Sequence, residues 1–238
     1  STFCSIGFHC HTSQILKRNN LKTQSYPFDW IFSNLFIVKD CIQDDFKKLL
    51  NKNYYIDSSD KDKKNKCGHL FYKNNMFRHR DMREIENYKY LARCKERFLK
   101  LLKSCDNKVF LMTILDKQLI NNLYKNLLSI KKIIDRKSSN FTIVCFIFHR
   151  SKINYYDKKM IDNIHIFNIY CTSYSNGFKF KNEKDNEFVD NIIKKYYLNN
   201  KDSLNKNDIQ QCARKIQQFF IKHVLVKKML NNTINELC

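Results

Sequence analysis

Phe141-Thr142-Ile143-Val144-Cys145-Phe146-Ile147-Phe148 decides the fold. The run is apolar at every position but Thr142, rich in β-branched and aromatic residues, and followed by His149-Arg150. It is too short for a buried helix and does not alternate, so it reads as a strand covered on both faces, the kind found inside parallel sheets. Residues 109–115 read as a second such strand, leading to Asp116, and residues 164–170 as a third. Between and around them lie amphipathic stretches. Residues 84–103 carry Ile85, Tyr88, Leu91, Phe98, Leu101 and Leu102 in one stripe, and residues 119–135, 188–197 and 209–230 are also helical, the last long and basic. Upstream, residues 2–6 are short and apolar, Gly7 permits a turn, and residues 12–20 form a helix with Ile15 and Leu16 facing inward. Ser33-Asn34 caps a helix over 35–50 striped by Phe36, Val38, Ile42, Phe46 and Leu49 or Leu50. Short extended pieces fall at 67–72 and 76–79. Apolar strands alternating with amphipathic helices predict an α/β fold: a three-layer sandwich with a mainly parallel central sheet flanked by helices. A single domain over 1–238 is expected, with residues 51–66, polar and charged, as an exposed loop or insertion.

At 238 residues, with 43% hydrophobic and 14% aromatic content, the chain can bury a full core and is not of disordered composition. The net charge of +21 produces a field that attracts nucleic acid, anionic membrane or acidic substrates. The lysines are scattered, as at Lys63-Lys64, Lys131-Lys132 and Lys227-Lys228, and no arginine-rich stripe or aromatic-basic repeat occurs. An anionic molecule is therefore a candidate partner and not the function itself. The ten cysteines form no CxxC pair, and Cys4, Cys145 and Cys171 sit in apolar runs. Free buried thiols in a reducing compartment fit this usage, so a cytoplasmic, intracellular protein is expected. No signal peptide is legible at the start, and no apolar run reaches the roughly 18 residues of a membrane span.

The one proline and the one tryptophan lie within Tyr26-Pro27-Phe28-Asp29-Trp30. Proline fixes its own φ and holds Tyr26 extended, so Asp29 sits in a rigid bend between two aromatic anchors, either as a structural brace or as a group placed for chemistry. Ahead of it runs Ser5-Ile6-Gly7-Phe8-His9-Cys10-His11, a strand–turn–helix sequence that places Cys10 near a helix N-terminus, where a thiolate is stabilised. In parallel sheets the working groups collect at the carboxyl ends of strands, which singles out Phe8 to His11, Asp116 and His149-Arg150. Arg93 and Arg97 share a helix face at i, i+4 and can hold phosphate or carboxylate, or instead pair with Glu86, Glu96 or Asp81. His9, Cys10, His11, Cys67, His69 and His79 are metal donors by type, but their spacing matches no zinc pattern, so no metal and no cofactor is expected.

Three blocks in this order resemble a known family: Ser5-Ile6-Gly7-Phe8-His9-Cys10 with Leu16 in the helix after it, Tyr26-Pro27-Phe28-Asp29-Trp30-Ile31, and Phe77-Arg78-His79 followed by Tyr90-Leu91-Ala92-Arg93 and Arg97-Phe98. They are similar to the putative papain-like cysteine peptidase family (DUF1796) of bacteria and large DNA viruses, which opens with Ser-Leu-Gly-Ser-x-Cys and continues with Pro-Phe-Asp-Trp, Phe-x-His-Asp and an arginine-rich helix. The likeness covers roughly the first half of the chain, to the strand at Val109. It implies that Cys10 is the nucleophile and His79 the base, and, for a viral member, a place in the host cytoplasm or the virion. Phe8-His9 stands where the family has small residues, and Arg80 follows His79 where an aspartate is usual, with Asp81 one position later.

The expected reaction is acyl transfer on a peptide or acyl substrate. Cys10 attacks a carbonyl, His79 acts as base and then acid, and Asp81, Asp29 or Asp116 orients the imidazole. Backbone N–H groups between Phe8 and His11 would receive the oxyanion, and His9, His11, Trp30, Arg93, Arg97, His149 and Arg150 are the candidates for substrate binding. Two other readings stay open: an SGNH-like esterase or acyltransferase acting on glycans or lipids, with Ser5 able to replace Cys10 as nucleophile, and a non-catalytic basic module that binds anionic partners through its charge.

Overall fold

A computed structural model describes residues 1–58, 66–73, 75–115 and 122–198. The chain divides into two compact units, Ser1–Tyr196 and Tyr197–Cys238, and the fold is that of the first. Asp116, the helix expected over 209–230 and residues 59–65 of the loop expected over 51–66 lie outside the described residues.

The elements follow in the order β1 (Thr2–Ser5), α1 (Cys10–Arg18), α2 (Leu35–Gln43), a 3-10 turn (Lys52–Tyr54), β2 (Tyr55–Ile56), β3 (Gly68–His69), α3 (Ile85–Lys103), β4 (Lys108–Leu115), α4 (Leu123–Asp135), β5 (Phe141–Arg150), β6 (Tyr155–Ile161) and β7 (Ile164–Cys171). A last helix, α5, covers residues 183–198. The main sheet has the order β1-β4-β5-β7-β6. Its β1–β4, β4–β5 and β5–β7 pairs are parallel, and only the edge strand β6 runs antiparallel to β7. β4 and β5 are internal and largely buried on both faces, which is why their sequences are mostly apolar.

The two faces of the sheet are covered separately. Phe110, Met112, Ile114, Ile143, Cys145 and Ile147 share one apolar cluster with residues of α2, α3 and α4. On the other face Thr12 of α1 hydrogen-bonds Thr113 of β4 at 2.7 Å, and Tyr196 of α5 packs edge-on against Phe167 of β7. Arg18 of α1 and Asp190 of α5 form a bidentate pair at 3.0 and 2.9 Å. The result is the three-layer α/β sandwich with a mainly parallel sheet that the apolar strands predict. Among the described residues no helix is long and apolar enough to cross a membrane.

Two local readings needed correction. The helix expected over 35–50 ends at Gln43, because Asp45 and Phe46 take left-handed φ values of 56° and 63°. Phe46 is nonetheless wholly buried, held between Phe28 and Phe98 at centroid distances of 5.5 and 5.4 Å. Aromatic packing there overrides helix periodicity. β6 has no counterpart in the apolar pattern. It is an edge strand carrying exposed Lys158 and Lys159, charges that discourage further strand pairing.

Candidate active site

The site lies where β1 hands over to α1. Gly7 makes that turn possible through close approach and not through its φ. A Cβ at this position would stand 1.9 Å from the Thr12 hydroxyl oxygen and 2.7 Å from Thr12 Cβ. The turn is tied to the segment after Trp30: Ser33 Oγ donates to Gly7 O at 2.6 Å and Ser33 N–H to Phe8 O at 3.1 Å. Phe32 N–H in turn donates to Met76 O at 2.9 Å, and Phe77 pairs with Cys67 through bonds in both directions. These links bring residues 76–79 over the first turn of α1.

Cys10 is the first residue of α1 and His79 follows the Phe77 bridge. Cys10 Sγ lies 3.3 Å from His79 Nε2, a hydrogen bond across 69 residues of sequence. Both residues line a pocket of about 400 Å³ with Phe32, Arg78, Asn176, Gly177 and Phe178. Burial pushes the Cys10 thiol up to about 11, opposed by its own backbone N–H and by Arg78. The imidazole of His79 is held below its usual range by partial burial and by the charges of Arg78 and Arg80. The resting pair is therefore a neutral thiol beside a neutral imidazole.

No carboxylate among the described residues hydrogen-bonds His79. Asp81 is taken by Arg83, which holds it at 2.7 and 2.9 Å. Asp29 is 1% exposed, paired with Lys22 and accepting the Tyr26 N–H at 2.9 Å; its carboxyl is raised by burial, with Lys22 acting against that. It braces the Pro27 bend. What meets the His79 ring is Trp30, edge-on, with centroids 6.0 Å apart.

The remaining candidates separate. His9 caps α1 without a side-chain cap bond and packs against Phe8 and Phe32; burial and then Lys73 push it down to about 4. His11 is wholly buried between Phe148 and Phe180, bonded through Nδ1 to Ser175 Oγ at 2.8 Å, and lowered to about 3 chiefly by burial. Neither histidine lines the Cys10 pocket among its described residues. Arg93 and Arg97 lie on α3, away from the pocket lining, with Arg97 reaching Ser25 O at 3.4 Å. His149 and Arg150 line a separate cavity of about 220 Å³ at the carboxyl ends of β4, β5 and β7, with Ser173, Tyr174 and Ser175. Ser5 is wholly buried within β1, so a serine nucleophile there is out of reach of substrate. His69 is used elsewhere, bonded to Lys48 O at 3.1 Å and stacked on Tyr72, and no three His, Cys, Asp or Glu among the described residues converge as a metal site.

Sequence reasoning missed the far wall of the pocket, Asn176-Gly177-Phe178. Its loop returns after β7 and is pinned to α1 by the His11 N–H bond to Gly177 O at 2.9 Å. Asp185 and Asn186 anchor its ends, Asp185 receiving the N–H and hydroxyl of both Thr172 and Ser173. Ser175-Asn176-Gly177 is a turn signal, but only the fold brings it to Cys10. The expected oxyanion donors also narrow, since the His11 N–H is spent on Gly177 and the Cys10 N–H faces its own sulfur.

The molecule is thus an α/β protein with a Cys–His pair at the carboxyl edge of a mostly parallel sheet. The chain belongs to the family described as putative papain-like cysteine peptidase (DUF1796), whose model matches residues 1–152. The match runs through β5, further than the three sequence blocks alone, and stops before the Asn176-Gly177-Phe178 wall. Neither a curated protein nor a solved structure matches the chain.

Proposed function

We propose that this protein is a cysteine hydrolase of peptidase type that works by acyl transfer, with Cys10 as nucleophile and His79 as general base and acid. The observation that carries the reading is the 3.3 Å contact between Cys10 Sγ and His79 Nε2 inside a pocket open to substrate. Membership of a family described as putative papain-like cysteine peptidase points the same way.

The chemistry follows from the resting state. The proton sits on sulfur at rest, so the thiol reacts near neutral pH only as His79 takes that proton. As the C–S bond forms, His79 Nε2 takes the thiol proton, and the carbonyl π electrons move onto oxygen. The tetrahedral adduct collapses by breaking the bond to the leaving amine or alcohol, which receives the proton from His79. Water then attacks the thioester while His79 removes its proton and returns it to Cys10 sulfur as the acid product departs. Trp30 fixes the ring in place of a carboxylate, and the low basicity of His79 favours giving the proton up.

Release of product from a panel of peptide, ester and thioester substrates tests the reading. Turnover that disappears in Cys10→Ser and falls by about a hundredfold or more in His79→Ala is expected. Turnover retained in Cys10→Ser would sink it.

A further inference from the structure

Arg78 is an exposed cation at the mouth of the Cys10 pocket. The nearby arginines are committed to the protein itself. Arg80 donates to Asn87 Oδ1 at 3.1 Å and lies over the Tyr90 ring at 4.0 Å, while Arg83 holds Asp81 and Asp57. Arg78 makes no ion pair or hydrogen bond among the described residues. No carboxylate among the described residues lines the pocket, because Lys22 and Arg83 have drawn Asp29 and Asp81 away. The field of Arg78 therefore falls on the Cys10–His79 pair, opposed at Cys10 only by the smaller effect of Asp29, and it is one of the charges that lower both groups. A guanidinium carries a planar fork of donors matched to a carboxylate, and an unspent one facing a nucleophile selects the charge of what approaches.

We propose that the pocket is specific for substrates bearing a carboxylate next to the carbonyl that Cys10 attacks, an acidic peptide in the reading above, and that Arg78 is the residue that selects them. Phe32 and Phe178 give the same pocket apolar walls for the uncharged part of such a substrate.

The proposal rests on the Cys–His reading, but its test does not. Iodoacetate and iodoacetamide alkylate the same thiolate and differ in one carboxylate. Their rate ratio therefore reads the field at the sulfur and cancels the thiolate fraction. Near pH 10 thiolate forms without help from His79, so the ratio is measurable even if His79 contributes nothing. The rates are taken on the full chain by mass spectrometry of the Cys10 peptide, with exposed Cys105 as the internal reference. The expected ratio at Cys10 exceeds that at Cys105 by about three- to tenfold at low salt, and about 0.5 M salt compresses the difference. Arg78→Gln should remove the excess, Arg78→Lys should keep most of it, and Cys105 should not change in either. A ratio at Cys10 no higher than at Cys105, or one untouched in both Arg78 variants, overturns the proposal. A failure of the Cys–His reading would show differently, as iodoacetamide rates near neutral pH that ignore His79.

Discussion

The Trp30 indole meets the His79 imidazole edge-on, centroids 6.0 Å apart and planes at 86°. The contact joins the chain's one tryptophan to the imidazole beside Cys10, in the place where hydrolases with a catalytic triad hold a carboxylate. The Pro27 bend and its buried Asp29 thus reach the site through packing. In the proposed reaction Trp30 would act as a positioning residue. Trp30→Ala should slow alkylation of Cys10 near pH 7 by about tenfold, because a ring displaced by an ångström loses its line to the sulfur. Trp30→Phe should restore most of the rate, and near pH 10, where thiolate forms unaided, the three proteins should converge. A loss of equal size at every pH would mean that Trp30 serves stability only.

Lys22 and Asp29 form an ion pair of which the carboxylate side is almost wholly enclosed. Breaking one side of such a pair leaves a buried charge. Lys22→Met should cost about 3 kcal/mol of unfolding free energy in urea, and the double variant with Asp29→Asn should recover part of it. Equal loss in single and double variants would contradict the brace.

Gly7→Ala places a methyl group inside van der Waals contact with Thr12, whose hydroxyl already bonds Thr113. The first turn of α1 must shift, and Cys10 with it. Destabilisation of about 1–3 kcal/mol is expected, together with slower labelling of Cys10 in the protein that remains folded. Wild-type stability and labelling would show that the turn can relax.

His9 and His11 are buried as neutral rings, with pKa values pushed down to about 4 and about 3 from an ordinary 6.5. Their unfolded forms take up protons below about pH 6.5 that the folded forms refuse. The stability they contribute is thus complete above that pH and falls as pH drops toward their folded values, by roughly 1.4 kcal/mol per pH unit for each ring. Urea midpoints near pH 7.5 and pH 5 measure this. His11→Phe, which keeps the packing against Phe148 and Phe180 but loses the bond to Ser175, should shrink the difference between the two midpoints. An undiminished difference would place the pH dependence elsewhere.

The sandwich was legible because β4 and β5 are largely buried on both faces, and such strands are filled mostly by apolar residues. β6 was illegible for the opposite reason: an edge strand with exposed lysines has no apolar signature. Within the site, Cys10 and His79 could be picked out by resemblance, and Asp29 and Asp81 looked like partners for His79. Local charge decided otherwise, since Lys22 and Arg83 lie close to them in sequence and capture them first. The Asn176-Gly177-Phe178 wall depends on contacts with α1 from the other end of the chain, which no local pattern encodes.

The rate of Cys10 alkylation by iodoacetamide across pH, in wild type and His79→Ala, tests the central claim most directly. With a thiol pushed up to about 11, thiolate is scarce at neutral pH, and fast labelling there requires His79 to take the proton. The account predicts that His79→Ala is slower by about tenfold or more near pH 7 and matches wild type near pH 10. Identical rates in the two proteins at neutral pH would contradict it, leaving a hydrogen bond without chemistry.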